Sequence, residues 1–507
     1  MVLNVAWREL GCGAMAGDVT WRVTSSGTAL ALCLSAVLAA RADTLNGALI
    51  NAYQNNPQLN SQRAVVRETD ESVPQALSGY KPTVTATLST SQAYTSTVSK
   101  LTTASPVSVA GQRVVLPQQP CLTAPCYPRS DFESQPSAAG LTVSQTLFNG
   151  FQTANRVRQA ESNTSAAREA LRVAEQTVLL NAATAYMDLL RDGALLELQR
   201  RNVEVLQEQL RQTRDRFNVG EVTRTDIAQT EAQLAQGRAS VLAAEAQYAR
   251  SRANYRQFIG VEPGTLQPGS PVDRLLPRRL VDAVEIARAR HPSVGVAMFG
   301  IDAAVLQVKI TEGSLYPQVR LLGTVQQNWE SQAVQTQLQQ FNAFVQAQVT
   351  IPIYNAGPAG ASDTFSAIRA AKETVGQKRM DLETARDQVQ AGVVTAWGQL
   401  EAAKAQILAT TAGVASAEIA LYGVREEARV GQRTTFDILL QQQTLVNARV
   451  ALVTAQHDRV VASYTLLAAV GDLNLPKLGI NIPLYDPMVH YQQVRDAWIG
   501  VRNPDGR

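Results

Sequence analysis

Four cysteines, three histidines and only 6% aromatic residues leave this 507-residue chain poor in the side chains that build metal centres, acid–base catalysts and large apolar cores. The histidines, His291, His457 and His490, are scattered, and no phosphate-binding glycine loop or nucleophile elbow accompanies them. Enzymatic function is therefore not expected, and no cofactor is implied. Charge of one sign is also lacking. The formal net charge is +3, and removing residues 1–42 takes away Arg8, Arg22 and Arg41 against Glu9 and Asp18, leaving +2, too little for a nucleic-acid partner. No run of eighteen uncharged apolar residues occurs, so no transmembrane helix is expected. Proline is absent from Thr153 to Asn218, which points to an uninterrupted helix.

What the chain does have is a repeat. Asn218-Val219-Gly220-Glu221-Val222-Thr223-Arg224-Thr225-Asp226-Ile227 returns as Arg429-Val430-Gly431-Gln432-Arg433-Thr434-Thr435-Phe436-Asp437-Ile438. In each copy glycine supplies the positive φ that ends one helix, and Thr and Asp cap the next. The correspondence continues through Arg238/Arg449 to Gly260/Gly471. Two helical hairpins made by internal duplication follow, with their turns side by side.

The N-terminus carries an export signal: an apolar run from Thr28 to Leu38 behind Arg22, then Ala40-Arg41-Ala42 as the cleavage site before Asp43. Cys12 and Cys33 leave with residues 1–42. Cys121 and Cys126 stay, in a Pro-rich loop, and in an oxidising compartment a disulfide between them is expected over a metal site, since no other thiol or nearby histidine is available.

The mature chain divides into a first repeat at 43–270, a second at 271–473 and a tail at 474–507. The first holds two short helices broken at Pro57, a β-hairpin over about 83–148 and a helical hairpin over about 153–260. The second holds a helix, a β-hairpin over about 319–353 and a helical hairpin over about 359–471. Val84, Ala86 and Leu88 alternate with threonines, and Leu141, Val143 and Leu147 do the same. Val319, Leu321, Gly323 and Val325 mark a third strand, and Ala343 to Ile353 a fourth; residues 91–131 read as a long exposed loop. In the return helices, large residues at every seventh position (Ile227, Leu234, Val241, Tyr248, Tyr255) interleave with small ones (Thr230, Gly237, Ala244, Ser251), a seam that lets helices approach closely. The tail is expected folded against the outside or partly disordered.

Strands of about nine to eleven residues, apolar on one face, fit an outer-membrane barrel. Four strands cannot close one, and lipid does not tolerate open sheet edges, so strands from several copies must combine. A periplasmic adaptor is the rival reading, because adaptors also carry long helical hairpins.

The sequence resembles the TolC-type outer-membrane channels of Gram-negative bacteria. The resemblance rests on Ala48 to Leu59, the strand exits at Asn149-Gly150 and Asn355-Ala356-Gly357, and the two Val-Gly-x5-Asp turns, and it spans about Thr44 to Leu473. It implies a membrane α+β protomer with four transmembrane strands and coiled-coil hairpins. Three copies then form a 12-stranded β-barrel in outer-membrane lipid and a periplasmic α-helical tunnel. The implied partners are a periplasmic adaptor protein and an inner-membrane ABC exporter or proton-driven efflux pump, and the cargo is type I secreted proteins or small toxic molecules. The turn residues Val219, Gly220, Thr225, Asp226, Val430, Gly431, Arg433 and Asp437 would form the entrance and adaptor contact. By the same resemblance Arg433, Thr225 and Asp226 link neighbouring turns and Asp437 supplies acidic field. Ala428 stands where the family links through an aromatic hydroxyl, and Leu440 where it has a second acid.

Overall fold

The computed structural model describes residues 43–98, 100, 107–109, 112–114, 127, 129–332, 337–353, 363–498 and 500–504. The expected export signal at 1–42, Cys121, Cys126 and the expected strand exit at Asn355-Ala356-Gly357 lie outside the described residues. The chain opens with α1 (Leu45–Asn55), α2 (Pro57–Asp70) and α3 (Ser72–Leu77). Asn56 ends α1 and caps α2, its side-chain Oδ1 accepting from Gln58 N and Leu59 N, while Pro57 occupies the first turn where a missing N–H costs nothing.

Among the described residues seven strands form one five-stranded sheet and a small separate pair. β1 (Thr83–Thr90) and β2 (Ala93–Val98) pair in succession with β5 (Arg129–Asn149), β5 pairs with β6 (Gln318–Gln332), and β6 with β7 (Gln337–Thr350), all antiparallel. The short strands β3 (Val107–Val109) and β4 (Gln112–Val114) pair with each other, and among the described residues with no other strand. The strands are longer than expected: β5 has 21 residues, β6 15 and β7 14. The expected loop at 91–131 begins as strand, because Tyr94, Thr95, Thr97 and Val98 keep the β-favouring composition and pair with 129–134. The fourth strand stops at Thr350, one residue before Ile351-Pro352, since proline cannot donate to the ladder.

Register lines up apolar side chains across the whole sheet. One face carries the rows Val84–Val143–Gly323–Val345 and Ala86–Leu141–Val325–Ala343; the other carries Thr85–Thr142–Thr324–Phe344 and Thr87–Gly140–Gln326–Asn342, polar but for Gly140 and Phe344. The apolar face has no cover: Leu88 is 85% exposed and Val345 77%. Among the described residues both sheet edges, β1/β2 and β7, are open.

At Asn149-Gly150-Phe151 the chain passes from sheet to helix through two left-handed residues, φ 64° at Gly150 and 62° at Phe151. A Cβ on Gly150 would run into the Gly313 carbonyl, so glycine is required. The hairpin of α4 (Gln152–Asn218, 67 residues) and α5 (Arg224–Ile259, 36 residues) follows. Sixty-seven helical residues extend about 100 Å. After a Pro/Gly-rich linker come α6 (Leu280–Arg290) and α7 (Pro292–Gly313), then β6 and β7. The second hairpin is α8 (Thr364–Arg429, 66 residues) with α9 (Thr435–Val470, 36 residues). Its first helix begins at Thr364, capped by Asp363, rather than near 359. Two stretches, 280–313 and 364–429, contain windows apolar enough to cross a membrane by composition, against expectation. Pro292 breaks the first into α6 and α7, and α7 packs between α4 and α8, so its apolar surface serves a helical wall.

The interleaved seam forms as read. Leu206, Leu210 and Leu234 pack together, and a Cβ on Gly237 would stand 3.0 Å from Leu206 Cδ1. Thr230, Ser251 and Tyr255 are buried beside it. The main core lies where both hairpins meet α1 and the linker, around Leu49, Leu179, Tyr186, Tyr255, Ile259, Tyr464 and Leu467. The duplication shows in this packing. Gly260 closes against Asn55, and Gly471 against His291, each glycine in the left-handed region at the end of its return helix. The described part of the tail folds against the body: Leu475 and Ile480 enter the core beside Leu473, and α10 (Pro487–Val494) docks on α2. Its anchor is the fully buried Asp70, within 3.2 Å of His490 Nδ1 and 3.4 Å of Arg168 Nη2.

Candidate functional site

The two hairpin turns have the same construction. After α4, the Gly220 N–H donates to the Phe217 carbonyl and Glu221 N–H to the Arg216 carbonyl; after α8, Gly431 and Gln432 do the same to Ala428 and Glu427. This is the Schellman pattern, and it needs the positive φ found at Gly220 (83°) and Gly431 (79°). Thr223 and Thr434 then cap the return helices, and the acids three residues on complete capping boxes. Asp226 Oδ2 accepts from Thr223 N at 2.8 Å, and Asp437 Oδ2 from Thr434 N at 2.9 Å. The Thr434 N–H and hydroxyl hold the Asp437 carboxyl below the usual carboxylate range.

The turns lie side by side, as expected. Leu439 of the second hairpin joins Leu206, Leu210 and Leu234 of the first, and Gln233 Nε2 donates to Gln443 Oε1 at 3.0 Å. A groove between them is lined by Glu208, Gln212 and Arg216 on α4 and Arg425, Arg429 and Thr435 on the second hairpin. Val219, Val430, Phe436 and Leu440 are exposed at the tips, and Thr225 is exposed on the first turn of α5.

Within the chain Arg433 does not pair with Asp226 or Thr225. Its Nε lies 2.9 Å from Glu427 Oε2, in its own turn. The reason is local: Glu427 ends the same helix that Arg433 has just left, whereas Asp226 is already committed to its cap. Ala428 contributes a carbonyl to the Schellman pattern and a methyl that can make no polar link.

Sequence reasoning missed Glu427, and it missed a charged cluster that ties α4 to α9 far from the tips. His457 Nε2 stands 2.9 Å from Asp188 Oδ1 and its Nδ1 2.9 Å from Asp458 Oδ1, while Arg191 reaches Asp188 at 3.0 Å and buried Asp192 at 2.8 Å. Asp192 in turn accepts from Ser251 and Gln247 on α5. Burial opposes charge on His457, but its two carboxylate partners prevail and raise its pKa. Only the helical spacing of Asp188 and Asp192 could have signalled this. Among the described residues no group of three His, Cys, Asp or Glu side chains is arranged to hold a metal.

A sheet with an uncovered apolar face, continuing into two antiparallel hairpins whose outgoing helices each run about 100 Å, defines the class of outer-membrane channel protomers. The chain belongs to the outer membrane efflux protein family, whose sequence profile matches residues 48–261 and 283–472. It is 38% identical over 470 residues to the outer membrane efflux protein BepC of Brucella suis, covering 92% of this chain and 94% of the relative. The outer membrane protein TolC of Escherichia coli is 27% identical over 335 residues, 62% of this chain and 65% of TolC. In three dimensions the chain is similar to the Campylobacter jejuni CmeC outer membrane channel, with a TM-score of 0.68, 16% identity and coverage of 89% of both chains. The protein is an outer-membrane efflux channel component of a Gram-negative cell.

Proposed function

We propose that three mature chains assemble into one exit duct, a twelve-stranded barrel in outer-membrane lipid continued by a helical tunnel in the periplasm. One observation carries the reading: each chain offers four strand positions with an uncovered apolar face and both edges open. In lipid such edges must pair with neighbouring copies. Exposed apolar residues along α8, among them Leu408, Ile419 and Tyr422, offer further surface for a neighbouring copy.

The duct receives its cargo, type I secreted proteins or small toxic molecules, from an inner-membrane ABC exporter or proton-driven pump through a periplasmic adaptor. Relatives named for efflux, such as BepC, and for alkaline protease secretion, such as AprF of Pseudomonas aeruginosa, support both cargo classes. The turns at Val219, Gly220, Thr225 and Asp226 and at Val430, Gly431, Arg433 and Asp437 form the closed periplasmic entrance and the adaptor contact. Arg433 holds the entrance by fixing its own turn through Glu427, which leaves its remaining guanidinium donors for a neighbouring chain. Cys121 and Cys126 close a disulfide in an external loop; intact mass without reduction should be two hydrogens below the reduced mass, and two free thiols would refute it.

Planar-bilayer recording tests the duct. Wild-type protein should give discrete current steps, and Arg433→Ser should enlarge them. Bilayers that stay silent with inserted protein would refute the duct; unchanged step size in Arg433→Ser would refute the entrance role alone.

A further inference from the structure

The C-terminal strap climbs the molecule to the base of the sheet. From the core it passes Tyr485, whose N–H donates to the Tyr53 hydroxyl, then runs as α10 along α2, and reaches Lys81, two residues before β1 begins. Lys81 Nζ donates to the Ala497 carbonyl at 2.9 Å and stands 4.8 Å from the Trp498 ring centroid. Trp498 is nevertheless 70% exposed. It shares its level with the other places where strands meet helices: Tyr80 before β1, Phe151 after β5, and Leu315 and Tyr316 before β6, all exposed. The strap and the linker pack together on the main core as an irregular layer. Inside the proposed duct that layer would obstruct the passage, so the duct requires it on the outer surface.

We propose that Trp498 is an interfacial anchor: with Lys81 it seats the C-terminal strap in the phospholipid headgroup region at the periplasmic edge of the barrel. The chemistry fits that partner. An indole with an apolar body and one N–H donor prefers the membrane–water boundary, and a lysine ammonium beside it meets lipid phosphate. The apolar rows of the sheet begin immediately above, so the anchor is continuous with the lipid-facing surface. The strap would then tie α2, on which α10 docks, to the membrane from outside, independently of the strands.

This inference rests on the membrane placement of the sheet, and Trp329 provides the control. Trp329 lies on β6 in the same face as Val325 and, being opposite Ser137 and Thr90, at the far end of the sheet. Apart from Trp7 and Trp21 of the export signal, the only other tryptophan is Trp397 on α8. Two mature proteins are compared in phosphatidylcholine vesicles with and without bromine near the carbonyl end of the acyl chains. One is Trp329→Phe/Trp397→Phe, which keeps Trp498; the other is Trp397→Phe/Trp498→Phe, which keeps Trp329. Emission from Trp498 should shift to the blue, lose about half its intensity to the brominated lipid and resist aqueous iodide. If Trp329 is quenched by the brominated lipid while Trp498 emits as a water-exposed indole and yields to iodide, the anchor is refuted and the barrel stands. If neither is quenched, membrane placement falls and the anchor falls with it.

Discussion

Tyr186 and Tyr255 sit in one core with ring centroids 6.4 Å apart, yet their hydroxyls have opposite circumstances. The Tyr186 hydroxyl lies 2.7 Å from the Asp43 carbonyl and 2.6 Å from the Gln267 carbonyl, and it accepts from Gln267 N at 3.1 Å. It thereby locks Asp43, the first described residue, and the interrepeat linker onto α4. The Tyr255 hydroxyl is buried with no protein partner. Replacing either by Phe keeps ring and volume, so no cavity opens and the comparison isolates the hydroxyl. Tyr186→Phe takes the hydroxyl from the Gln267 carbonyl, while the Gln267 N–H keeps its bond to the Asp43 carbonyl, and should cost about 0.5–1.5 kcal/mol per chain. Tyr255→Phe removes an uncompensated buried polar group and should be neutral or stabilising by up to about 1 kcal/mol. Guanidinium titration of the two variants in detergent, followed by helical circular dichroism, reads the difference directly. Equal losses, or a larger loss in Tyr255→Phe, would refute the reasoning.

Gly431→Val should loosen the second hairpin tip by about 1–2 kcal/mol, because its φ of 79° is costly for a residue with a Cβ although no atom lies within 4 Å of one. Hydrogen exchange over 426–432 should accelerate, with Gly431→Asn milder; an exchange pattern like wild type in Gly431→Val would contradict the turn assignment. His457 gives a pH signature. Its folded pKa is raised above an unfolded value near about 6.5, so its stabilising effect is fully present below that pH and disappears as pH rises through the folded value. The stability gap between wild type and His457→Gln should therefore be widest in acid and close toward alkaline pH, and a gap that widens with pH would reverse the assignment.

The architecture was legible where a local rule governed a whole element. The proline-free run, the sevenfold seam and the paired glycines placed α4, α5, α8 and α9 nearly to their observed ends, because helix length and caps are encoded within a few residues. Strand extent was less legible. The pairing of 93–98 with 129–134 depends on a partner across a long connection, which alternation alone does not reveal. At the tips, Val-Gly and the capping acids could be read, whereas the partner of Arg433 could not. Glu427 lies across the turn, and its approach follows from the Schellman geometry rather than from any motif. The Asp188–His457–Asp458 bridge joins residues far apart in sequence, and single charged positions on amphipathic helices give no sign of their tertiary partners.

The central claim is that one chain holds only part of a barrel, its open edges β1/β2 and β7 meeting those of two other copies. Native mass measurement of the mature protein released from detergent micelles tests it most directly. The account predicts a single dominant species of three chains that persists at high dilution. A membrane-inserted species of one chain would contradict it.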